Sequence, residues 1–196
     1  GFGDVTNKTY DELNRVTSVS VDYGGLFTKT SVYTYDAVGN RLTMTDPEGG
    51  TTTYEYDSAY RCITLINPSS DTTKYEYNAL GQKTKELKQN GVCTDLIWTN
   101  NLLQSITTKD SANNFLSDIS YTYDSVGNRT SMANGSEVTY YDYDPLYRLN
   151  LTQQPNNKLV EYQYDAAGNR IAEITNGNLV SYYYDADNRI VSSSQQ

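Results

Sequence analysis

The sequence predicts an all-β fold, an antiparallel β-meander of about nine two-stranded repeats forming a curved ribbon or a segment of a shell. Three observations lead there. Tyrosine supplies 20 of the 196 residues. A short aromatic motif recurs about every 21 residues from one end of the chain to the other. Each recurrence is bracketed by two turn signals. Leu, Ile, Val and Phe together make only 38 of 196 residues, a level that accompanies disorder when net charge is high. Here the formal charge is −9, a mild excess, and the tyrosine rings supply the missing apolar surface. Tyr, Thr and Val also favour strands.

Internal repeats come first, because they decide the fold. Aromatic-acidic or related pairs fall at Tyr10-Asp11, Tyr35-Asp36, Tyr56-Asp57, Tyr77-Asn78, Trp98-Thr99, Tyr123-Asp124, Tyr143-Asp144, Tyr164-Asp165 and Tyr184-Asp185. Their spacings are 25, 21, 21, 21, 25, 20, 21 and 20 residues, which makes nine copies. Two positions before the pair stands a second tyrosine in seven copies: Tyr33, Tyr54, Tyr75, Tyr121, Tyr141, Tyr162 and Tyr182. That spacing sets both rings on one face of a strand. Five or six positions after the pair tyrosine comes a cation: Arg15, Arg41, Arg61, Lys83, Arg129, Arg148, Arg170 or Arg189.

The turn between the two strands of a copy follows the pair. It reads Asp36-Ala37-Val38-Gly39-Asn40, then Asp124-Ser125-Val126-Gly127-Asn128, then Asp165-Ala166-Ala167-Gly168-Asn169. Asp opens such a turn by accepting local backbone N–H bonds, while Gly or Asn takes positive φ. The turn between copies is marked by Gly24-Gly25, Gly49-Gly50, Asn90-Gly91, Asn134-Gly135 or Asn176-Gly177, which are strong hairpin signals between strand-like runs. Two strands per copy predict up to about 18 strands, a ribbon roughly 85 Å wide that should curl, because wide twisted sheets do not stay flat. The array is expected to occupy 1–196 as one domain, with the copy around 92–106 degenerate.

Composition removes several functions. The chain has no histidine, so histidine triads, imidazole metal sites and a histidine pH switch are excluded. A pI near 4.4 argues against nucleic acid held by a general basic field. No apolar run approaches the roughly 20 residues of a membrane helix, so membrane insertion is not expected. The chain opens Gly1-Phe2-Gly3-Asp4, without initiator methionine or signal peptide, a start that fits a processed or excised piece.

The unit Tyr-x-Tyr-Asp-x-x-Gly-Asn-Arg, as in Tyr33 to Arg41, Tyr121 to Arg129 and Tyr162 to Arg170, resembles the YD repeat, also called the RHS repeat. The resemblance runs over essentially the whole chain and is weakest at Trp98-Thr99-Asn100-Asn101. It implies a large secreted or cell-surface bacterial protein, or a teneurin-like one in animals. In that family the ribbon spirals into a hollow shell, often around a C-terminal toxin, as in Rhs, wall-associated and Tc-type systems. Implied partners are further YD repeats of the same or a neighbouring chain and an enclosed effector. No cofactor is implied.

Other features have a chemical and a structural reading. Rhs-type shells end in a self-cleaving region with an Asp-Pro-x-Gly element, and Asp46-Pro47-Glu48-Gly49 matches it. Here it occupies an inter-copy turn with repeats continuing beyond, which favours a hairpin connection. Asp36, Asp124 and Asp165 offer too few oxygens per turn for the six to eight that calcium usually takes. Glu55, Glu76 and Glu161 are placed to face the cations of neighbouring strands. Cys62 and Cys93 fall three strands apart in a simple meander, roughly 14 Å and too far for a disulfide. The tyrosine rows suit either a thin core or the stacking of glycans. Three functions follow: a non-catalytic shell segment, a self-assembling extracellular fibre, or a glycan-binding adhesin. The first is preferred, and an enzyme is the least favoured, since no nucleophile–base pair or metal cluster is present.

Overall fold

The fold is described from a computed structural model, which describes residues 4–195; Gly1-Phe2-Gly3 and Gln196 lie outside it. The chain folds as 18 antiparallel strands and one short 3-10 turn at Pro155–Asn157. Contacts divide it into two units, the first running to Asp95 and taking in Lys109–Asn114, the second made of the remainder. The first unit contains β1 (Val5–Tyr10), β2 (Val16–Asp22), β3 (Thr28–Tyr35), β4 (Arg41–Thr45), β5 (Thr51–Tyr56), β6 (Cys62–Ile66), β7 (Thr72–Tyr77), β8 (Lys83–Lys88) and the start of β9 (Cys93–Thr99). The second contains the rest of β9, β10 (Leu102–Lys109) except its last residue, β11 (Phe115–Tyr123), β12 (Arg129–Asn134), β13 (Glu137–Tyr143), β14 (Leu149–Gln154), β15 (Lys158–Tyr164), β16 (Arg170–Thr175), β17 (Asn178–Tyr184) and β18 (Ile190–Gln195). From β1 to β9, and again from β11 to β18, each strand pairs antiparallel with its sequence neighbour.

Neither unit has a second layer. Ordinary domains bury one sheet face against another element, but here Val160, Ala172 and Thr152, at 3%, 6% and 4% exposed, are the only buried residues among those described. The two faces differ all the same. In β3 the tyrosines Tyr33 and Tyr35 are half-buried, while Thr34 between them is exposed. The exposed face carries hydroxyl pairs across strands, such as Thr34 with Thr43 at 2.6 Å and Thr122 with Ser131 at 2.7 Å. The other face carries the tyrosine rows.

Register is constant although the spacing of copies is not. Within a copy the pair tyrosine stands opposite the fifth residue after its Asp or Asn: Tyr35 opposite Arg41, Tyr56 opposite Cys62, Tyr164 opposite Arg170. A bulge precedes it each time, so two residues of the second strand share one of the first. Between copies the seventh residue after one turn Asp stands opposite the fourth before the next, as in Ser18 with Val32, Thr43 with Thr53 and Leu151 with Glu161. The extra residues of the first interval lengthen the hairpin between copies, adding the pairs Val21–Lys29 and Asp22–Thr28 to the three that Thr43–Thr45 make with Thr51–Thr53.

The turn within a copy is built the same way in both units. Asp36 N–H donates to Asn40 O, Gly39 N–H donates to Asp36 O, and the Asp36 carboxylate accepts from the Val38 and Asn40 amides. The third residue after the Asp has positive φ, whether it is Gly39 (101°), Asn14 (64°), Tyr60 (62°) or Tyr147 (61°). Three inter-copy turns, at Asp46, Asn67 and Asp110, use this same plan, which glycine signals alone do not reveal. The degenerate copy differs. Its strands continue, but they join through the two residues Asn100 and Asn101, both left-handed at φ 50° and 64°, the conformation of a type I′ hairpin turn.

Left-handed backbone is costly for a side chain with Cβ. Tyr60→Gly should therefore stabilise the protein by about 0.5–1 kcal/mol, and Gly39→Ala should destabilise it by about 1 kcal/mol. Thermal unfolding of the two variants beside the parent checks the opposite signs.

Candidate functional site

The candidate site is the tyrosine face, built from the same groups in every regular copy. The pair tyrosine points back along the sheet and donates its hydroxyl to a main-chain carbonyl of the preceding copy. Tyr35 donates to Val16 O (2.8 Å), Tyr56 to Arg41 O (2.9 Å), Tyr77 to Cys62 O (2.7 Å) and Tyr123 to Leu103 O (2.7 Å). Tyr143 donates to Arg129 O (2.9 Å), Tyr164 to Leu149 O (2.7 Å) and Tyr184 to Arg170 O (2.8 Å). Apart from Leu103 in the degenerate copy, the acceptor is always the fifth residue after the preceding turn Asp or Asn. Burial pushes the Tyr56, Tyr77, Tyr123, Tyr143 and Tyr164 hydroxyls above the ordinary 10.0.

The cations, which share one place in the sequence motif, fall into two classes. Arg15, Arg61 and Arg148 stand four residues after the Asp and reach both ways. Nε donates to the Asp of the same turn at 2.7 Å in each. Nη1 donates to the carbonyl of the next turn's first residue, Asp36 (2.7 Å), Asn78 (2.9 Å) and Asp165 (3.2 Å). Each guanidinium lies over the next pair tyrosine, 5.0 Å from Tyr35, 5.0 Å from Tyr77 and 4.6 Å from Tyr164. Arg41, Lys83, Arg129 and Arg170 come one residue later. In the three arginine turns of this class Asn40, Asn128 and Asn169 bind the Asp instead, at 2.8–2.9 Å.

The later cations sit over the other tyrosine row. Arg41 lies between Tyr33 and Tyr54, at 5.9 and 4.7 Å, and Arg129 between Tyr121 and Tyr141, at 5.7 and 4.5 Å. Arg170 lies between Tyr162 and Tyr182, at 5.4 and 5.2 Å, and Lys83 over Tyr75 at 5.4 Å. Cation–π contacts at partly exposed positions contribute about 0.5–1 kcal/mol each. They also occupy one face of each ring. The signal for the two classes is present in the sequence as spacing: the cation stands four residues after the turn Asp in one and five residues after the turn Asp or Asn in the other.

The turn carboxylates are held in their charged form. In Asp57 the Arg61 amide, then its guanidinium, keeps the carboxyl below the ordinary 3.8, and in Asp165 the Asn169 side-chain amide does most. In Asp36, Asp124 and Asp144 partial burial pushes upward, and hydrogen bonds from Asn40, Asn128 and Arg148 outweigh it. Asp185 accepts the Asp187 and Arg189 amides.

The remaining candidates are structural in their contacts. Asp46-Pro47-Glu48-Gly49 forms a hairpin turn in which Asp46 accepts the Glu48 and Gly50 amides. Cys62 on β6 and Cys93 on β9 are free thiols, pushed upward by burial and hence poor nucleophiles. The expectation for Glu55, Glu76 and Glu161 needs correction. Glu55 stands opposite Thr64 and Glu161 opposite Ile174; only Glu76 meets a cation, Lys85, whose ion pair at 3.8 Å is with Asp95. The physical reason is the period of two: a residue next to a row tyrosine along the strand points to the face away from the turn cations. Among the described residues no group of three His, Cys, Asp or Glu is placed to hold a metal, and no helix is long and apolar enough to cross a membrane.

Comparison with known proteins accounts for this geometry. A family model, the RHS Repeat, matches residues 10–51 and 35–72. Residues 10–72 carry RHS repeats. No curated protein matches the sequence. Among solved structures, TcdB2-TccC3-Cdc42 is 22% identical with a TM-score of 0.79, over 93% of this chain and 12% of that one. A Photorhabdus luminescens Tc holotoxin pore is 23% identical with a TM-score of 0.77, over 96% and 12%. TcdB2-TccC3 without its hypervariable C-terminal region is 24% identical with a TM-score of 0.76, over 93% and 12%. At such identity the likeness is one of fold, and this chain spans 12% of the length of each of these chains.

Two outcomes follow from the bonds of the RHS unit. Tyr164→Phe keeps the ring and strands the Leu149 carbonyl, so stability should fall by about 1 kcal/mol and Tm by about 2–4 °C. Tyr183→Phe, on the exposed face, should leave Tm unchanged. The second outcome concerns acid. The turn carboxyls titrate lower folded than unfolded, so their contribution is complete above the ordinary value of 3.8 and is lost as pH falls through the lower folded values. Tm measured against pH should be level from about pH 7 to 5 and drop below about pH 4.

Proposed function

We propose that residues 1–196 form a single RHS array, a non-catalytic structural segment of a larger secreted or cell-surface protein. In this reading the array is part of the wall of a β-shell that encloses an effector. The observation that carries it is the run of contacts from copy to copy across a sheet with no second layer. Such a surface is a wall rather than a pocket. The tyrosines, turn carboxylates and cations are then structural residues, each used to hold the next copy. The likeness in fold to TcdB2-TccC3 structures and to a holotoxin supports the enclosed effector, and an enclosed toxin supports export from the cell. The thiols and carboxylates are held in states that suit packing and turns, which supports a role without catalysis.

Electron microscopy of the protein isolated from its source, without crosslinking, tests the reading. Discrete hollow particles are expected. Continuous fibres with a repeat near the length of this chain would overturn it.

A further inference from the structure

Of the chain's seven arginines, five have a carboxylate partner and two have none. Arg15, Arg61 and Arg148 pair with the Asp of their own turn, Arg170 with Glu173 and Arg189 with Asp187. Among the described residues, no carboxylate stands within ion-pair distance of Arg41 or Arg129. Both lie in the middle of the tyrosine face, Arg41 in the first unit and Arg129 in the second.

The four later cations share one surrounding, and it explains the difference. Three residues after each cation, a side chain stands across the strand pair from the tyrosine two positions before the pair. Opposite Tyr75 it is Glu86, whose carboxylate accepts from Lys83 Nζ at 2.8 Å. Opposite Tyr162 it is Glu173, 3.4 Å from Arg170 Nη1. Opposite Tyr33 and Tyr121 it is Met44 and Met132, the two methionines of the chain. The same place therefore holds a carboxylate in copies four and eight and a thioether in copies two and six.

Arg41 and Arg129 are short of acceptors as well as of charge. Arg41 Nη2 donates to the Tyr54 hydroxyl at 3.2 Å, while Nε of both arginines is buried with no hydrogen-bond partner. A tyrosine face attracts a guanidinium but offers its N–H donors no lone pair. A buried donor left unpaired costs free energy, and a guanidinium edge fits a carboxylate by two parallel bonds. The methionine side chain, unbranched and flexible, can yield the place.

We infer that Arg41 and Arg129, each within its own unit, bind an Asp or Glu side chain of an acidic peptide segment. The bound carboxylate takes the place that Glu86 and Glu173 fill beside Lys83 and Arg170. Carboxylate is the chemistry because the sheet itself supplies one at the two sister positions. A peptide segment is the source because a lone ion pair at a half-exposed site is weak. A chain laid along this face also meets the flanking rings, Tyr33 and Tyr54 in one unit and Tyr121 and Tyr141 in the other. The inference concerns this face of the sheet alone, so it stands or falls separately from the enclosure of an effector.

Nuclear magnetic resonance of the arginine Nε–H groups in the isotope-labelled chain tests it. The probe is a short peptide of alternating glutamate and alanine. The Arg41 and Arg129 signals should move and saturate, while those of Arg15 and Arg61, already paired, should stay. The same peptide with glutamine in place of glutamate should move none. Met44→Glu supplies a carboxylate from within, so Arg41 should lose its response while Arg129 keeps it. Glu173→Met removes one, so Arg170 should join the responding arginines. Arg41 and Arg129 signals that do not move in the parent chain, or that move equally with the glutamine peptide, would overturn the inference. So would Arg15 and Arg61 moving alongside them. Acetate that matches the peptide at equal carboxylate concentration would overturn the peptide segment as the source.

Discussion

A sheet one layer thick has to be held by contacts that run within and along it. The hydroxyl of the pair tyrosine supplies the link on which the rest depends. It crosses from one copy to the preceding one and ends on a main-chain carbonyl where the second strand begins. The carbonyl is always present whatever side chain occupies the position, so Val16, Arg41, Cys62 and Leu149 all serve. Sequence variation there costs the link nothing.

The turns fix where that carbonyl lies. The Asp carboxylate accepts the second and fourth amides beyond it, and the left-handed third residue returns the chain to the sheet. The bulge that follows keeps the fifth residue opposite the pair tyrosine. Turn chemistry, bulge and register thus agree, the consistency expected of a sequence that specifies one structure. Stability in such an array is a sum of copies and neighbour contacts.

The cations make the true period two copies. An arginine four residues past the Asp, in copies one, three and seven, joins successive turns and covers the pair row. A cation five residues past it, in copies two, four, six and eight, lies on the other row and contacts tyrosines two positions before the pair. Alternate copies therefore tie the edge of the sheet and its middle. Neither tie by itself would hold both tyrosine rows.

Much of this was determined by sequence alone. Tyr-x-Tyr-Asp at 20 to 25-residue intervals determined the number of copies, the strands, the shared face of Tyr33 and Tyr35, and the turn at Asp36 to Asn40, because strand period and turn chemistry are local. Only the tertiary structure decided where the tyrosine hydroxyls end, since a backbone carbonyl 14 to 20 residues back has no residue type to betray it. Likewise the partners of the cations depend on which strand lies alongside. Asn40 fills in one copy the place that Arg61 holds in another, and the cation Arg41 follows one residue later. That single residue of offset moves the charge from the pair row, at Tyr77, to the other row, at Tyr54.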